Sequence, residues 1–281
     1  MSPPENMKNV LVTGGSTGIG YEMALALAGE GHRVVIAARG VEKSRQAIER
    51  IRQAHPQAQI ESMPLDLGDF ATVDRFAADL LKKMPVIDVL MLNAGLYTMK
   101  MYTLPNGYEA MIGIMHFGHF RLTQHLLPAL KAAPQARIVV TSSVGHKFGR
   151  IDEASFTDPK RHRIGMQSYG QAKLANLLFT RELAKRLAGS NVTINAFHPG
   201  AVATEIWRET PGLFKSIVLR FMLTPAQGAD TAIWLATDPA LAGVTGKYFV
   251  KRRENPGTRA SRDPELAARL WEISERRMAS V

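Results

Sequence analysis

The chain has 281 residues, of which 46% are hydrophobic and none is cysteine, and its formal net charge is +10. This length suits one large domain or at most two, and the lack of cysteine excludes thiolate catalysis, disulfides and cysteine-rich zinc sites. No apolar run approaches the roughly 20 residues of a membrane span, so we expect a cytoplasmic protein without a signal peptide or a metal site.

The first element is a short apolar strand, Asn9–Thr13, which runs directly into a glycine-rich turn. A helix-forming run over 21–30 and a second apolar strand over 34–38 follow. Such a strand–turn–helix–strand unit holds a dinucleotide pyrophosphate at the helix N-terminus, where glycines let the backbone approach the phosphates. The alternative is a glycine-rich turn without a ligand. We favour dinucleotide binding, by Gly14, Ser16, Thr17, Gly18, Ile19 and Gly20.

The end of the second strand indicates which dinucleotide is bound. Enzymes that use NAD place an acidic residue about 20 residues past the glycines, on the ribose 2′-hydroxyl. Here the strand ends in Ala37-Ala38-Arg39, with no acidic residue. A guanidinium at this place suits a 2′-phosphate, so the sequence predicts NADP(H), although Arg39 alone is also compatible with a plain surface arginine.

The alternation of strands and helices continues to the C-terminus. It predicts a single-domain, doubly wound parallel sheet of Rossmann type, with about seven strands and helices on both faces. We expect further strands over 59–67, 86–92, 137–143, 192–197 and 246–250, and helices over 41–54, 70–84, 107–133, 167–189, 225–237 and 263–278. The segment 144–166 between them is polar and basic.

Candidate binding residues follow several of these strands. Because ligands of such sheets lie beyond the carboxyl ends of the strands, residues at those ends are expected to converge on one site. They are Asp66, Leu67, Asn93, Ala94, Gly95, Ser143, Pro199 and Gly200. The apolar segment 201–224 then breaks the alternation, and we interpret it as a substrate-binding lid that includes Trp207. Core packing or an oligomer contact is the alternative.

Tyr169 and Lys173 are four residues apart in a helix-forming run, so both side chains are expected on one helix face. A phenol has a pKa of about 10, and a nearby ammonium lowers it toward the range that acid–base catalysis needs. Ser143 follows an apolar strand upstream, where its hydroxyl would orient a carbonyl or alcohol oxygen toward Tyr169. A half-buried tyrosine beside a solvated lysine is the alternative interpretation.

Taken together, these motifs resemble the short-chain dehydrogenase/reductase family over nearly the whole chain. The matching segments are Thr13-Gly14-Gly15-Ser16-Thr17-Gly18-Ile19-Gly20, Asp66-Leu67, Asn93-Ala94-Gly95, Ser142-Ser143, Tyr169-Gly170-Gln171-Ala172-Lys173 and His198-Pro199-Gly200 with Thr204. Within the family the chain is similar to the retinol dehydrogenase-like branch, through segments such as Gly118-His119-Phe120 and Gly246-Lys247-Tyr248-Phe249.

The resemblance implies a role for each site residue. Tyr169 would be the proton donor or acceptor, Lys173 would lower its pKa and bind the nicotinamide ribose, and Ser143 would hold the substrate oxygen. Asp66 would contact the adenine, Asn93 and Gly95 would line the cofactor, and Thr204 would contact the nicotinamide end. The family usually has asparagine, which helps to hold a water of the proton relay, where this chain has Met115. A thioether donates no hydrogen bond, so His116 or His119 is a candidate substitute.

We therefore expect an NADP(H)-dependent oxidoreductase, a carbonyl reductase or alcohol dehydrogenase acting on a lipophilic retinal-like, aldehyde or ketone substrate. Met115 motivates the alternative, an NADP-binding regulatory or scaffold protein with reduced or lost catalysis.

The net charge alone does not indicate nucleic-acid binding, because the basic residues are not interleaved with aromatic residues and no known nucleic-acid-binding module is present. The resemblance suggests a homodimer or homotetramer, and peripheral membrane contact is a lesser expectation. Apolar candidates for the substrate pocket are Tyr97, Met99, Met101, Phe148, Met166 and Trp207.

Overall fold

The structure is a computed structural model that describes residues 7–202 and 223–279. In these residues eight strands form one sheet with the order β3-β2-β1-β4-β5-β6-β7-β8. The strands are β1 Asn9–Thr13, β2 Arg33–Ala38, β3 Ile60–Pro64, β4 Val89–Leu92, β5 Ala136–Thr141, β6 Val192–His198, β7 Tyr248–Val250 and β8 Arg253–Glu254.

Every pairing from β3 to β7 is parallel, which confirms the predicted doubly wound sheet. The expected number of about seven strands is one too low, since β8 pairs antiparallel with β7 as the eighth. The sequence pattern misses β8 because it has only two residues. The turn before it places Lys251 and Arg252 at φ values of 50° and 57°, a backbone region that non-glycine residues rarely adopt.

Helices cover both faces of the sheet, as predicted. They are α1 Gly18–Gly29, α2 Val41–Ala54, α3 Phe70–Lys83, α4 Ala110–Ile112, α5 His119–Ala132, α6 Gly165–Arg186, α7 Pro225–Thr237 and α8 Pro264–Ala279. One hydrophobic core, beneath α1, α2 and α7, contains Val10, Val12, Ile36 and Phe249. The other, beneath α3, α5, α6 and α8, contains Leu11, Leu90, Ile194 and Tyr248.

The prediction of a single helix over 107–133 is wrong. A π-helical segment, Gly113–Gly118, separates α4 from α5. Such π turns insert an extra residue into a helix and occur often at functional sites. A Cβ at Gly118 would lie 2.3 Å from the carbonyl oxygen of Leu67. Only glycine therefore lets this segment pack against the end of β3, next to the predicted binding residues.

Most of the predicted lid, 201–224, lies outside the described residues, which include its ends at Val202 and Leu223. These two residues form an isolated parallel bridge. The interpretation of 201–224 as a lid, and of 1–281 as a single domain, stays a prediction. Among the residues described, no helix combines the length and apolar character needed to cross a membrane.

Candidate active site

The carboxyl ends of the parallel strands border a cleft of about 580 Å³. Its lining includes nearly all the residues predicted to bind a dinucleotide. These are Gly14, Ser16, Thr17, Gly18, Ile19, Gly20, Arg39, Asp66, Leu67, Asn93, Ala94, Gly95, Tyr169, Lys173 and Pro199. Residues spread over 185 positions of the sequence (14 to 199) thus meet in one place, because parallel strands end at the same edge of the sheet.

The glycine-rich turn has the backbone shape that a phosphate cradle requires. Gly14 and Gly18 adopt φ values of +67° and +57°, which favour glycine. A Cβ at Gly20 would lie 2.2 Å from the carbonyl oxygen of Gly14 and 2.6 Å from Nδ2 of Asn93. The side chain of Thr17 does not cap the N-terminus of α1. The first-turn N–H groups of α1 are therefore left to an anion, and the site fits a dinucleotide pyrophosphate.

Thr13 joins this turn to the neighbouring strand β4. Its hydroxyl accepts hydrogen bonds from the N–H groups of Asn93 and Ala94 at 2.9 and 3.0 Å. Asn93 in turn donates from Nδ2 to the carbonyl oxygen of Thr13 at 3.0 Å. The 93–95 segment is thereby fixed across the floor of the cleft by reciprocal bonds, before any ligand binds.

The far end of the cleft carries the groups expected to face the adenosine half. Arg39 is exposed there, and Lys43 of α2 lines the same end. Asp66 accepts a hydrogen bond from the N–H of Gly68 at 2.9 Å, which fixes its carboxylate in a turn. Sequence reasoning missed Lys43, although its position four residues after Arg39 in a helix-forming run was a usable signal.

Ser143 and Tyr169 meet at the other end of the cleft. Ser143 follows β5, and its hydroxyl accepts a hydrogen bond from the N–H of Gly145 at 3.1 Å. The same hydroxyl is hydrogen-bonded to Tyr169. Tyr169 also makes an edge contact with Tyr97, whose ring centroid is 5.6 Å away. The predicted pair of hydroxyls, those of Ser143 and Tyr169, is therefore brought together.

Two glycines allow this close assembly. A Cβ at Gly145 would lie 2.9 Å from Cε1 of Tyr169, and a Cβ at Gly170 would lie 2.7 Å from the carbonyl oxygen of Gly145. Contacts this short are not found for real Cβ atoms. The segment after β5 thus packs directly on the backbone of α6, which brings Ser143 to Tyr169.

Lys173 lies one helical turn beyond Tyr169 and is 2% exposed. Its Nζ donates to the carbonyl oxygen of Thr141 at 3.1 Å and lies 5.5 Å from the centroid of the Tyr169 ring. Burial lowers the pKa of Lys173 to about 8. An ammonium in this position is therefore close to its titration point near neutral pH.

The expected lowering of the Tyr169 pKa by Lys173 is not found. Burial raises the pKa of Tyr169 above its usual value, and the hydrogen bond with Ser143 only opposes this shift. The physical reason is that removal from water disfavours the phenolate, while Nζ of Lys173 is directed to Thr141. Tyr169 is therefore a neutral hydroxyl in this structure, which suits a proton donor.

A family model for short chain dehydrogenase matches residues 8–212. The chain belongs to this family. Its members are oxidoreductases that act on CH–OH and C=O groups with a nicotinamide cofactor.

Several relatives share sequence with this short-chain dehydrogenase over almost its full length. Retinol dehydrogenase 14 of Mus musculus is 37% identical over 284 residues, which cover 95% of this chain and 85% of the relative. Retinol dehydrogenase 13 of Homo sapiens is 37% identical over 277 residues, covering 96% and 84%. The chain is therefore a retinol dehydrogenase-like member of its family.

Solved structures share the fold. An uncharacterised protein from Mycobacterium paratuberculosis has 31% sequence identity and a TM-score of 0.78, with 98% of this chain and 94% of that chain covered. A single-residue variant of actinorhodin polyketide ketoreductase, crystallised with NADPH, has 25% identity and a TM-score of 0.69, with 89% and 97% covered.

Met115 departs from the asparagine expected in this short-chain dehydrogenase. Its side chain is fully buried, and a Cβ at Gly95 would lie 3.0 Å from its sulfur and 3.6 Å from Nζ of Lys173. Neither neighbouring histidine replaces the asparagine, because neither is among the residues that line the cleft. His116 bonds Ser274 at 2.8 Å, and His119 bonds Thr13 at 3.0 Å.

Among the predicted site residues that the structure describes, Ser143 and Gly200 do not line the cleft. Ser143 contributes through its bond to Tyr169, while Gly200 turns the chain beyond Pro199 with a φ of +90°. Thr204 and Trp207 lie outside the described residues. Sequence reasoning in turn missed residues that do line the cleft beside known motifs, namely Leu65, Leu96, Ile114, Thr141 and Ser142.

Proposed function

We propose that this short-chain dehydrogenase interconverts the carbonyl and alcohol forms of a lipophilic substrate with NADP(H). The observation that carries the proposal is the meeting of Ser143, Tyr169 and Lys173 at one end of a cleft whose other end holds Arg39. The glycine-rich turn between them fits the pyrophosphate that joins the two halves of a dinucleotide.

The chain's own residues supply binding, orientation and proton transfer. When bound, a reduced nicotinamide supplies the hydride that reduces a carbonyl carbon. Ser143 orients the carbonyl oxygen, and Tyr169 donates its proton to that oxygen. Lys173 places a buried positive charge near the developing phenolate, and this charge stabilises the transition state more strongly than it would in water.

NADP(H) rather than NAD(H) is favoured by the cations at the adenosine end. Arg39 replaces the acidic residue that would bind a free ribose 2′-hydroxyl, and Lys43 lines the cleft beside it. Two cations suit a 2′-phosphate, which carries charge and several acceptor oxygens. The ketoreductase crystallised with NADPH supports the same assignment.

A lipophilic substrate is supported by the apolar side chains around the catalytic end. Met99, Val144, Phe148 and Ile164 are all more than two-fifths exposed. They belong to segments that contact the Tyr169 region, since Val144 follows Ser143 and the backbone of Phe148 packs on Gly170. The relatives named retinol dehydrogenase support the same substrate class. Peripheral contact with a membrane would use these side chains as well.

A non-catalytic NADP-binding role is the second candidate, and Met115 is the observation that favours it. Its thioether stands where the family's relay asparagine is expected and donates no hydrogen bond. The intact contact between Ser143 and Tyr169 counts against this candidate. A cytoplasmic location and an oligomeric state both stay predictions from the sequence.

NADPH oxidation by the purified protein with retinal, long-chain aldehydes, aromatic ketones and steroid ketones tests the proposal. We expect turnover with at least one class, faster with NADPH than with NADH. Tight NADPH binding measured by fluorescence, without turnover of any carbonyl, would contradict the enzymatic proposal and support the non-catalytic role.

A further inference from the structure

The helix that carries Met115 offers Lys173 no polar side chain for proton transfer. The sulfur of Met115 packs against Gly95 beside Lys173, and a thioether neither donates nor accepts hydrogen bonds well. The carbonyl oxygen of Met115 already accepts a hydrogen bond from Nδ1 of His119 at 3.1 Å. Position 115 therefore has no polar side chain to hold a relay water, and its carbonyl oxygen already accepts one hydrogen bond within the protein.

The two histidines of this region are committed to structural partners. Nε2 of His116 lies 2.8 Å from the hydroxyl of Ser274, which itself donates to the carbonyl oxygen of Leu270. His119 bridges Met115 and Thr13. Burial lowers the pKa of both histidines to about 3, so they stay neutral and carry no proton to Tyr169.

A different group of polar side chains lies on the other side of the catalytic residues. His146, His198 and Tyr248 each have a buried polar atom without a hydrogen-bond partner among the residues that the structure describes: Nε2, Nδ1 and Oη, respectively. His146 and Tyr248 are each only 2% exposed. A buried polar atom without a partner destabilises the folded protein, and native proteins usually satisfy such atoms with ordered water.

The three side chains lie together at the ends of neighbouring strands. Tyr248 is paired with Ala196 in the β6–β7 register, and His198 lies two residues further along β6, so both project from the same face of the sheet. The rings of His146 and Tyr248 are in edge contact, with centroids 5.5 Å apart at 85°. This arrangement brings the rings of His146 and Tyr248 together and places His198 on the same face of the sheet as Tyr248.

The group is electrically close to the catalytic pair. Burial, followed by the neighbouring His146 and Lys173, lowers the pKa of His198 to about 4. Burial also raises the pKa of Tyr248, and Tyr169 adds to this effect. The segment that carries His146 also packs on the catalytic tyrosine, since a Cβ at Gly145 would lie 2.9 Å from Cε1 of Tyr169. His198 is partly exposed and connects the group to solvent.

The hydrogen-bonding pattern of His146 is set by the catalytic serine. Its Nδ1 lies 2.6 Å from the carbonyl oxygen of Ser143. A carbonyl oxygen only accepts, so Nδ1 carries the proton and Nε2 presents a lone pair. The hydroxyl of Tyr248 can donate, which gives the group both a donor and an acceptor. A water molecule bound between them would have the two to four polar partners that buried waters require.

We propose that His146, His198 and Tyr248 hold a buried water that returns the proton to Tyr169 during carbonyl reduction, in place of a relay through position 115. This rests on the proposed function. When the O–H bond of Tyr169 breaks and the O–H bond of the alcohol forms, the tyrosinate takes a proton from the water. The water regains one from solvent past His198. One solvent proton is consumed per turnover, and no electrons move in the relay.

Tyr248→Phe tests this route most cleanly, because it removes an oxygen that makes no hydrogen bond within the protein. We expect turnover to fall by roughly a hundredfold, at the lower end of the range of a lost proton-transfer group, and the solvent deuterium isotope effect on kcat to increase. His198→Asn should act in the same direction. Tyr21→Phe, a buried tyrosine under the opposite face of the sheet, is the matched control and should keep wild-type turnover.

A double variant distinguishes the loss of a proton relay from a general structural effect of Tyr248→Phe. Met115→Asn introduces the family's polar side chain, so Met115→Asn combined with Tyr248→Phe should recover most of the lost turnover. NADPH affinity measured by fluorescence and the melting temperature should be unchanged in Tyr248→Phe. A general packing defect would lower the melting temperature and would not be rescued by Met115→Asn.

A high-resolution crystal structure of the wild type gives a readout that needs no activity. We expect an ordered water within hydrogen-bond distance of Nε2 of His146 and Oη of Tyr248, and its loss in Tyr248→Phe. An empty site, or an active wild type with unchanged turnover and isotope effect in Tyr248→Phe, would overturn the relay alone. A wild type without turnover of any carbonyl would instead overturn the proposed function.

Discussion

The two ends of the cleft are built in different ways. The nucleotide end consists largely of backbone groups and glycines, such as Gly14 and Gly20, whose missing side chains let the turn pack closely against the neighbouring 93–94 segment. The catalytic end consists of buried side chains, such as Lys173 and His146, each 2% exposed. Burial lowers the pKa of both. The nucleotide end is suited to bind a ligand by its backbone shape. At the catalytic end, burial of ionisable side chains shifts their pKa values.

This difference means that mutations at the two ends should change different measured quantities. Changes at the glycine-rich turn should weaken cofactor binding and leave the protonation behaviour of the site intact. Changes at Tyr169 or Lys173 should alter the rate or the pH dependence with a smaller effect on binding of the adenosine half.

The largest effect is expected at the catalytic end, from Tyr169→Phe. Removing the hydroxyl deletes the proton donor, and general acid catalysis contributes about 10²–10⁴-fold to rates. We expect kcat to fall by that factor while the Kd for NADPH, measured by fluorescence, stays within a few-fold. Residual turnover near the wild-type value would show that another group donates the proton.

The second effect concerns the pH dependence of stability. Burial lowers the pKa of Lys173 from 10.5 to about 8 in the folded protein. As pH rises through about 8 the folded protein releases this proton, while the unfolded chain keeps it until about 10.5. The free energy of unfolding of the wild type should therefore rise over this window by up to about 1.4 kcal/mol per pH unit.

Lys173→Met is the matched variant for this measurement, since it keeps the length of the side chain without the charge. Urea unfolding of both cofactor-free proteins from pH 7 to 10 isolates the contribution of Lys173. The difference between them should increase with pH in favour of the wild type. A difference that does not change with pH would show that Lys173 titrates at an ordinary value.

The third effect is expected at the nucleotide end, from Gly20→Ala. The added Cβ would lie 2.2 Å from the carbonyl oxygen of Gly14, so the turn must shift, at a cost of about 1–3 kcal/mol. The Kd for NADPH should rise roughly fivefold to 150-fold. Gly40→Ala is the control, because its Cβ would have no neighbour closer than 3.6 Å. Equal Kd values for the two variants would contradict the phosphate-cradle assignment.

The smallest effect is a change of cofactor preference in Arg39→Ala combined with Lys43→Ala. Loss of two cations from the adenosine end should lower the preference for NADPH over NADH by roughly tenfold, through lost charge-assisted hydrogen bonds to the 2′-phosphate. The ratio of kcat/KM for the two cofactors measures this. An unchanged ratio would place the 2′-phosphate elsewhere or show that it is not recognised.

Much of the fold was predictable. Strands such as β1 and helices such as α2 and α7 have uninterrupted sequence patterns, and their predicted bounds match the structure. The break at Gly113–Gly118 was not, since the pattern of a long helix hides a π turn whose cause is a tertiary contact with Leu67. Most of the residues predicted to bind the nucleotide line the cleft, because strand ends can be recognised in the sequence.

The catalytic end was only partly predictable, for a physical reason. Spacing alone brings Tyr169 and Lys173 to one helix face, but the sign of a pKa shift depends on burial, which the sequence does not state. The prediction that the pKa of Tyr169 is lowered was wrong for that reason. The sequence did not predict a role for His146, because its contact with the carbonyl oxygen of Ser143 depends on how the segment after β5 packs on α6.

The most direct test of the central claim uses NADPH carrying deuterium at the transferable C4 position, with a carbonyl substrate found in the panel. Mass spectrometry of the product should show one deuterium on the former carbonyl carbon, and product formation should collapse in Tyr169→Phe. A product without deuterium, or equal product formation by Tyr169→Phe, would contradict the account of NADPH-dependent carbonyl reduction with Tyr169 as the proton donor.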